Sequence, residues 1–187
     1  MNFARVILAS TFVVSALALS APARAEGIIN LRTNTLLVLA RTFEAAAEFN
    51  LGRGFQLGPA IIGYRSEGTE NPPVVNEGGG LGVRVAYNLE GEAFVDGWLF
   101  ALTFYGTNNK LSQGGHSANV PAGAMTALAG YQWVFDWGMN LTLSGGFITG
   151  STPATADLKD SSGNVRTVTL PGSNTSFLPE FSFGWKF

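Results

Sequence analysis

The single histidine of this 187-residue chain, His116, is the first residue to consider for catalysis. It lies in the segment Gly-Gly-His-Ser-Ala-Asn, so that Ser117 follows it directly. Nucleophilic catalysis by a serine requires a histidine that holds the hydroxyl at a fixed distance and angle. A polar, glycine-rich segment favours a loop rather than such a rigid frame. We therefore interpret His116 as a loop residue and predict that the chain is not an enzyme.

Carboxylates are the next candidates, because a pair of them can act as acid and base in hydrolysis. Three glutamates lie on predicted strands, opposite the apolar side chains, and three basic residues occupy the same kind of position. Paired charges are tolerated in an interior where single charges are not. A structural network of ion pairs, with charges that sum to zero, is therefore a better interpretation than a catalytic site. Its predicted members are Arg32, Glu44, Glu48, Arg84, Glu180 and Lys186.

Motifs for a metal or a cofactor are not found in the sequence. The acidic residues from Asp157 to Asp160 do not have the spacing of a calcium-binding EF-hand loop. The glycines at 78–80 and 145–146 are not followed by the Lys-Ser/Thr pair of a phosphate-binding loop. We predict no metal and no cofactor. Because acidic residues outnumber basic ones, 13 to 11, we also predict no nucleic-acid partner.

Residues 1–25 have the three parts of a secretory signal peptide. A positive charge near the start precedes a long apolar run, and the small residues Ala23 and Ala25 frame a cleavage site. We predict cleavage after Ala25, which leaves residues 26–187 as one domain. The chain has no cysteine, so neither a disulfide nor a lipid-anchored cysteine is expected, although export permits disulfides.

The composition of the chain differs from that of an ordinary soluble domain. Charged residues make up 13% of the sequence, about half the usual share, whereas aromatic residues make up 12% and glycines number 24. A surface in contact with water normally carries more charge than this. We therefore predict that part of the outer surface does not face water.

Apolar and polar residues alternate with a period of two along much of the chain, which predicts strands. Helical periodicity is poor, and no segment after residue 25 is continuously apolar over the length of a membrane-spanning helix. Most of the predicted segments have the length of about 9–11 residues that a tilted strand needs to cross a bilayer. Eight strands are predicted, at 28–39, 43–51, 55–65, 80–89, 98–107, 122–133, 139–150 and 177–187.

The predicted connections alternate in length. Those after the second, fourth and sixth strands are compact or moderate, whereas those after the third, fifth and seventh are long and polar. Long loops at one end and short turns at the other are typical of an outer-membrane barrel. The long loops are predicted at 66–78, 108–121 and 151–176.

The last predicted strand ends in Phe-Ser-Phe-Gly-Trp-Lys-Phe, which puts four aromatic residues on one face. A sheet in hydrocarbon must close, because no backbone hydrogen bond can be left open there. The last strand then pairs with the first, its aromatic face contacts lipid, and its charges point inward. We therefore predict an all-β fold, an eight-stranded antiparallel up-and-down transmembrane β-barrel with a filled interior. The aromatic face comprises Phe181, Phe183, Trp185 and Phe187.

Alternation alone does not decide which face of these strands is enclosed. A secreted, soluble, lipocalin-like binder would turn the same apolar faces inward. Within the membrane interpretation, a narrow pore and a lipid A-modifying enzyme are alternatives to a structural or surface-interaction role. Eight strands leave little room for a pore, since the interior is just wide enough for side chains.

The terminal FSFGWKF resembles the closing-strand signal of bacterial outer-membrane proteins. The segments AGYQWVFDWGMNLTLSGG and FEAAAEFNLGRGFQLGP are similar to small barrels of the OmpA/OmpX-like superfamily. The resemblance implies eight antiparallel strands and recognition of the terminal aromatic by the barrel-assembly machinery. It further implies a monomer in the bacterial outer membrane that meets periplasmic chaperones, outer-membrane lipid and lipopolysaccharide. Long extracellular loops would then carry any contact with other molecules.

One outer-membrane enzyme family, a lipid A deacylase, resembles this chain in size and uses a His/Ser/acid arrangement at the outer rim. The pattern of that family places a serine two residues after the histidine, where this chain has Ala118. This departure argues against carrying the activity over to this chain.

Overall fold

The computed structural model describes residues 28–35, 41–69, 71–170 and 172–187. Within them, 76% of the residues lie in strands and none lies in a helix, so the predicted all-β, antiparallel class is confirmed. Among these residues there is accordingly no helix of the length and hydropathy needed to cross a membrane.

The predicted signal peptide, with its cleavage site at Ala23 and Ala25, lies outside the described residues.

The described strands number ten. They are β1 (Ile29–Asn34), β2 (Thr42–Gly52), β3 (Phe55–Glu67), β4 (Val75–Asn88), β5 (Gly97–Gln113), β6 (His116–Val134), β7 (Met139–Ser151), β8 (Thr155–Lys159), β9 (Val165–Thr169) and β10 (Ser173–Lys186).

Within a set of eight strands, each strand pairs with two others of the set, and the pairings return to their starting point. The order is β1, β2, β3, β4, β5, β6, β7 and β10, and β10 pairs with β1, always antiparallel. At this last junction Leu31 lies opposite Trp185. The N–H of Phe187 then donates to the carbonyl of Ile29 at 2.8 Å, and its carbonyl accepts from the N–H of Ile28 at 2.7 Å. We call this closed set of strands the eight-strand ring.

The predicted total of eight strands is too small for the sheet, because β8 and β9 form an additional hairpin within the predicted loop at 151–176. Each of the two strands has only five residues. That length is too short for alternation to stand out in a stretch rich in glycine, serine and threonine. A single residue pair, Ser117 opposite Lys159, joins β8 to the ring at β6.

The predicted long loop at 108–121 is wrong. Strands β5 and β6 run through this segment, and only Gly114 and Gly115 connect them. Their φ angles of 56° and 84° are those that a two-residue hairpin turn requires. The predicted loop at 66–78 is also shorter than expected, because β4 already begins at Val75.

The ring therefore has two different ends. The turn end carries the connections at 53–54, 89–96 and 135–138 and the end of β10. The hairpin end carries the protruding β5–β6 turn and the β8–β9 hairpin. The asymmetry between the two ends is the predicted one, but the longer end is built from strands rather than from irregular loops.

The outer face of the ring carries a broad apolar band. Along β5 the four outward side chains from Trp98 to Phe104 are large and apolar, and they are 45–52% exposed. Farther along the same face Asn108 and Lys110 are polar, which marks the limit of the band toward the hairpin end. Other strands contribute Phe49, Leu57, Ile61, Leu81, Val83, Val85, Met125, Trp133, Leu143, Phe147, Phe177 and Phe181.

The inner face of the ring holds both apolar and polar side chains, and the same strands contribute both kinds. A buried apolar cluster joins β4, β5, β6 and β10 through Ala86, Leu99, Ala101, Leu128 and Leu178. Polar side chains occupy much of the remaining interior. The buried ones include Asn30, Arg32, Asn34, Glu44, Glu48, Gln56, Arg84, Thr103, Thr126, Gln132, Asn140, Thr142, Glu180 and Ser182.

Two inward-facing glycines allow neighbouring strands to approach closely. A Cβ atom at Gly58 would overlap the carbonyl oxygen of Ala47, and one at Gly146 would overlap that of Ala127. No other residue fits these positions without moving the backbone, which is consistent with the sharp curvature of a small closed sheet.

Candidate functional site: the charged interior

Glu48 of β2 is the centre of a buried charge network inside the ring. Its Oε1 accepts a hydrogen bond from Arg84 Nε at 2.8 Å, and its Oε2 lies 3.3 Å from Arg32 Nε. The side-chain amide of Asn30 donates to Oε2 at 2.7 Å. All four side chains are at most 3% exposed. Each charge therefore depends on these partners rather than on bulk water.

Arg32 of β1 connects distant strands of the ring. Its Nη1 donates to Thr142 Oγ1 at 2.7 Å and to Ser182 Oγ at 2.9 Å, and its Nη2 donates to Gln132 Oε1 at 2.6 Å. Gln132 belongs to β6, which is not a neighbour of β1, so this bond crosses the enclosed space. The planar guanidinium makes contacts through all three of its nitrogens, which lysine could not reproduce.

Arg84 of β4 links the network to the last strand. Its Nη2 lies 3.9 Å from Glu180 Oε1. The second carboxylate oxygen of Glu180 accepts a hydrogen bond from Ser144 Oγ at 2.7 Å. Arg84 thus joins Glu48 and Glu180, two glutamates from strands that are not adjacent in the ring.

Glu44 of β2 is the third carboxylate of the network, and it accepts a hydrogen bond from the hydroxyl of Tyr105. Tyr105 lies on β5, on the far side of the interior, and is 4% exposed. Three carboxylates face only the two guanidiniums of Arg32 and Arg84, so neutral donors such as this hydroxyl must complete their coordination. Sequence reasoning did not assign Tyr105 to the network. The sequence signal that could have identified Tyr105 is its position on the same face of the strand as Thr103, opposite the large apolar side chains.

Lys186, the sixth predicted member, lies apart from the network. It faces inward opposite Asn30, but its Nζ contacts the carbonyl of Phe94 at 3.5 Å, at the turn end. The described ion pairs do not include one made by Lys186. The predicted balance of three positive and three negative charges therefore does not hold within the network.

The connection between β4 and β5 folds into the turn end of the ring. Phe94 has a φ of 57° and is 1% exposed. The carbonyl of Val95 accepts hydrogen bonds from Asn88 Nδ2 at 3.0 Å and from Gln132 Nε2 at 3.2 Å. Because these donors point inward from β4 and β6, they hold the connection across this end of the interior.

The cavity that remains within the network is small. Its volume is about 10 Å³, which is about that needed to hold one water molecule. Side chains, rather than open space, therefore fill this level of the interior. The residues that line it are Arg32, Asn34, Glu44, Ala45, Ala46, Arg84 and Glu180.

His116 is not in a loop, as the sequence predicted, but is the first residue of β6. Its Nε2 lies 3.8 Å from Asp160 Oδ2, in the turn between β8 and β9. Ser117 is the next residue of the strand, and its side chain points to the opposite face. The histidine therefore has an acidic partner, but this serine cannot join them in a triad.

The described residues contain no group of three or more His, Cys, Asp or Glu side chains arranged to hold a metal ion.

Of the four aromatics predicted at the end of the chain, Phe181, Phe183 and Trp185 lie on the outer face of β10, and Phe187 follows it. The ring of Trp185 packs edge-to-face against Trp137 with centroids 5.0 Å apart.

Comparison of the chain with protein-family models, curated proteins and solved structures found no match. Functional conclusions therefore depend on the chain's own geometry.

Proposed function

We propose that the chain is an eight-stranded transmembrane β-barrel of the bacterial outer membrane, without catalytic activity, and that its role is structural or lies in contacts made at its hairpin end. The observation that carries the proposal is the distribution of side chains over the eight-strand ring. Its enclosed face holds paired charges and its outer face holds an apolar band. In water the opposite distribution is expected, because exposed apolar patches of this extent are uncommon on soluble monomers.

Aromatic pairs near the turn end support the same proposal. Tyr131 packs against Trp98 and Trp133 with centroids 5.9 and 5.0 Å apart, and Trp137 packs against Trp185. Transmembrane barrels carry such girdles where the bilayer meets water, and they place their short turns in the periplasm. The hairpin end would then face the outside of the cell.

The interior favours a structural role over a narrow pore. The charge network fills the middle of the ring, and the connection that contains Phe94 folds across the turn end. The surface pair of His116 and Asp160 does not favour a lipid A-modifying enzyme, because Ser117 points away from it. A soluble lipocalin-like binder would need an apolar cavity inside the ring rather than ion pairs.

The proposal is tested by extraction and by electrophoresis. We expect the mature protein in the outer-membrane fraction, released only by detergent. We also expect unheated and boiled samples to migrate differently in a gel with dodecyl sulfate, because a closed barrel resists this detergent until it is heated. Release into buffer without detergent, with equal migration of both samples, would contradict the proposal.

Barrel-assembly machinery, periplasmic chaperones and lipopolysaccharide are the partners that we propose for a monomeric protein of this type. The aromatic ring of Phe187 gives a direct test. Phe187→Ala keeps both backbone hydrogen bonds to Ile28 and Ile29, so refolding of the purified protein into detergent should be nearly unchanged. Insertion in cells should fall several-fold, because the alanine variant lacks the aromatic ring that we propose the assembly machinery recognises.

Phe187→Tyr is the matched control for this experiment and should preserve both cellular insertion and refolding. The amount of heat-modifiable protein in isolated outer membranes measures insertion, and recovery from urea measures refolding. Equal insertion of the alanine variant and the parent would show that the terminal aromatic is not an assembly signal.

A further inference from the structure

The β8–β9 hairpin is held against the protruding part of β5 and β6 by a small apolar core. Leu111 and Val120, which face inward on those two strands, pack against Leu158 and Val168 of the hairpin. Leu158 is 0% exposed, and the other three side chains are at most 9% exposed. The hairpin therefore has a fixed position at the hairpin end, and its outer edge is formed before any partner binds.

Strand β9 has a single neighbour in the sheet. It pairs with β8 along all five of its residues without a bulge, and the described residues place no strand on its other side. Each of the other nine described strands pairs with at least two. The second edge of β9 is thus open. The exposed residues along it are Val165, Arg166, Thr167 and Thr169.

Hydrogen bonds within the hairpin show which backbone groups face this open edge. The N–H of Asp160 donates to the carbonyl of Asn164 at 3.1 Å, and the N–H of Leu170 donates to the carbonyl of Ala154 at 2.8 Å. In an antiparallel pair, hydrogen-bonded and non-hydrogen-bonded positions alternate. The even-numbered residues of β9 therefore bond to β8. The N–H and C=O groups that point to the open edge are those of Val165, Thr167 and Thr169, and no described residue bonds to them.

The open edge of β9 lacks most of the features that usually prevent pairing with another chain. Proteins commonly protect such an edge with lysine, proline or a bulge, or keep it short. The sequence of β9 is Val-Arg-Thr-Val-Thr, in which four residues are β-branched and favour a strand. Val165 is 56% exposed, although it lies beyond the apolar band. Only the short length of β9 limits pairing.

We propose that the open edge of β9 binds an extended segment of another protein, which adds a strand to the hairpin. The edge itself selects this kind of occupant. Its N–H and C=O groups recur at every second residue, which is the spacing of the backbone groups in another β-strand. An antiparallel segment would form two hydrogen bonds with each of Val165, Thr167 and Thr169.

Side chains along the edge define the partner segment further. Val165 and Thr167 lie on one face of β9 and are uncharged, and β-branched or threonine residues form favourable cross-strand pairs with such neighbours. Arg166 lies on the opposite face and is the only charged residue of β9. The partner segment therefore carries β-branched residues at alternate positions and an acidic residue opposite Arg166.

This inference specifies the contact that the proposed function assigns to the hairpin end, and it rests on that proposal in this respect alone. Binding at the edge is measured in the full-length protein refolded in detergent, so it does not require a bilayer. A failure of binding would leave the extraction and migration tests of the membrane proposal unaffected, and the two failures are thus distinguishable.

A synthetic peptide tests the edge. Its sequence is Thr-Val-Thr-Glu-Val, with blocked ends and a fluorescent label, and its third residue would lie opposite Thr167. We expect saturable binding by fluorescence anisotropy. The same peptide N-methylated at the third residue should bind about tenfold or more weakly, because one lost hydrogen bond alone accounts for about 2- to 13-fold. Equal binding of both peptides, or no saturable binding of the first, would overturn the proposal.

Two substitutions at Thr167 test the same contact from the side of the protein. Proline is tolerated in an edge strand where its nitrogen faces outward, so Thr167→Pro should keep the hairpin but lose the donor. It should weaken peptide binding by about 2- to 13-fold or more. Thr167→Ala is the matched control, because it also loses the hydroxyl bond to Asp157 but keeps the backbone N–H. It should bind the peptide within about twofold of the parent.

Arg166→Gln tests the selection of an acidic residue. The parent should bind the peptide about 1.4- to 5-fold more tightly than a version with glutamine in place of glutamate, and Arg166→Gln should show no such preference. An unchanged preference would show that Arg166 does not select the segment.

Two further results would overturn the proposal. One is a Thr167→Pro variant that migrates as a folded barrel and binds the peptide like the parent. The other is a dimer of the parent, seen by sedimentation and abolished by Thr167→Pro, which would show that a second copy of the chain occupies this edge.

Discussion

Replacement of Arg84 by methionine should lower the free energy of unfolding by about 3–5 kcal/mol, the usual cost of breaking a buried ion pair. Arg84 is 2% exposed and contacts both Glu48 and Glu180. After its removal, Arg32 would be the only guanidinium facing three buried carboxylates. Methionine fills much of the same volume, so the loss reports the charge rather than a cavity. Urea unfolding in short-chain lipid, followed by tryptophan fluorescence, measures the effect.

Arg65→Met is the matched control for this substitution. Arg65 also forms two ion pairs, with Glu67 and Glu77, but all three side chains are 41–49% exposed. Exposed pairs contribute about 0–1 kcal/mol, so this variant should unfold close to the parent. Adding Glu180→Gln to Arg84→Met should recover part of the loss, because it removes one unpaired charge. Equal midpoints for Arg84→Met and Arg65→Met would show that the network does not stabilise the ring.

Replacement of Leu102 by arginine should cost about 2–4 kcal/mol when the protein is folded in a bilayer. Leu102 points outward from β5 and is 45% exposed, and its neighbours across the sheet, Val85 and Ala127, belong to the same apolar band. A charge at this depth must leave water and enter hydrocarbon. Reversible unfolding from vesicles measures the cost.

Asn108→Arg is the control on the same strand and the same face. It lies six residues beyond Leu102 toward the hairpin end, next to the outward-facing Lys110, and should cost about 0–1 kcal/mol, as positions near the interface do. The pair of variants also separates the membrane interpretation from a soluble one. On a water-exposed surface both substitutions would fall within about 0.5 kcal/mol of the parent. Such a result would contradict the transmembrane proposal.

Alternation in the sequence was sufficient to assign the faces of most strands. In β4 and β5, for example, Arg84 and Thr103 were placed opposite Val85 and Leu102, and they are buried while the latter two are exposed. The reason is geometric, since successive side chains of a strand point to opposite sides. The same pattern could not show depth along the strand. Lys186 was therefore assigned to the correct face, although it lies at the turn end and away from the carboxylates.

The extent of the strands at the hairpin end could not be predicted from the same signal. Residues 108–113 belong to β5, but the sequence there lacks the alternation of apolar and polar residues that predicts a strand. Beyond the apolar band the outer face meets water and is polar. The inner face mixes Asn109 and Gln113 with the apolar Leu111, and Leu111 is covered there by Leu158 of the β8–β9 hairpin, which is distant in the sequence. Backbone pairing with β6 continues the strand as far as Gln113, although the apolar side chains no longer alternate there.

The sequence by itself thus determined the all-β class, the two faces of each main strand and the residue types of a charged interior, because these depend on local periodicity and composition. Only the tertiary structure decided which charges meet. Arg32 reaches Gln132 one hundred positions away, Tyr105 reaches Glu44, and Arg84 bridges Glu48 and Glu180. Such contacts depend on the register and closure of the whole sheet, and a one-residue shift in any pairing would turn the side chains to the other face.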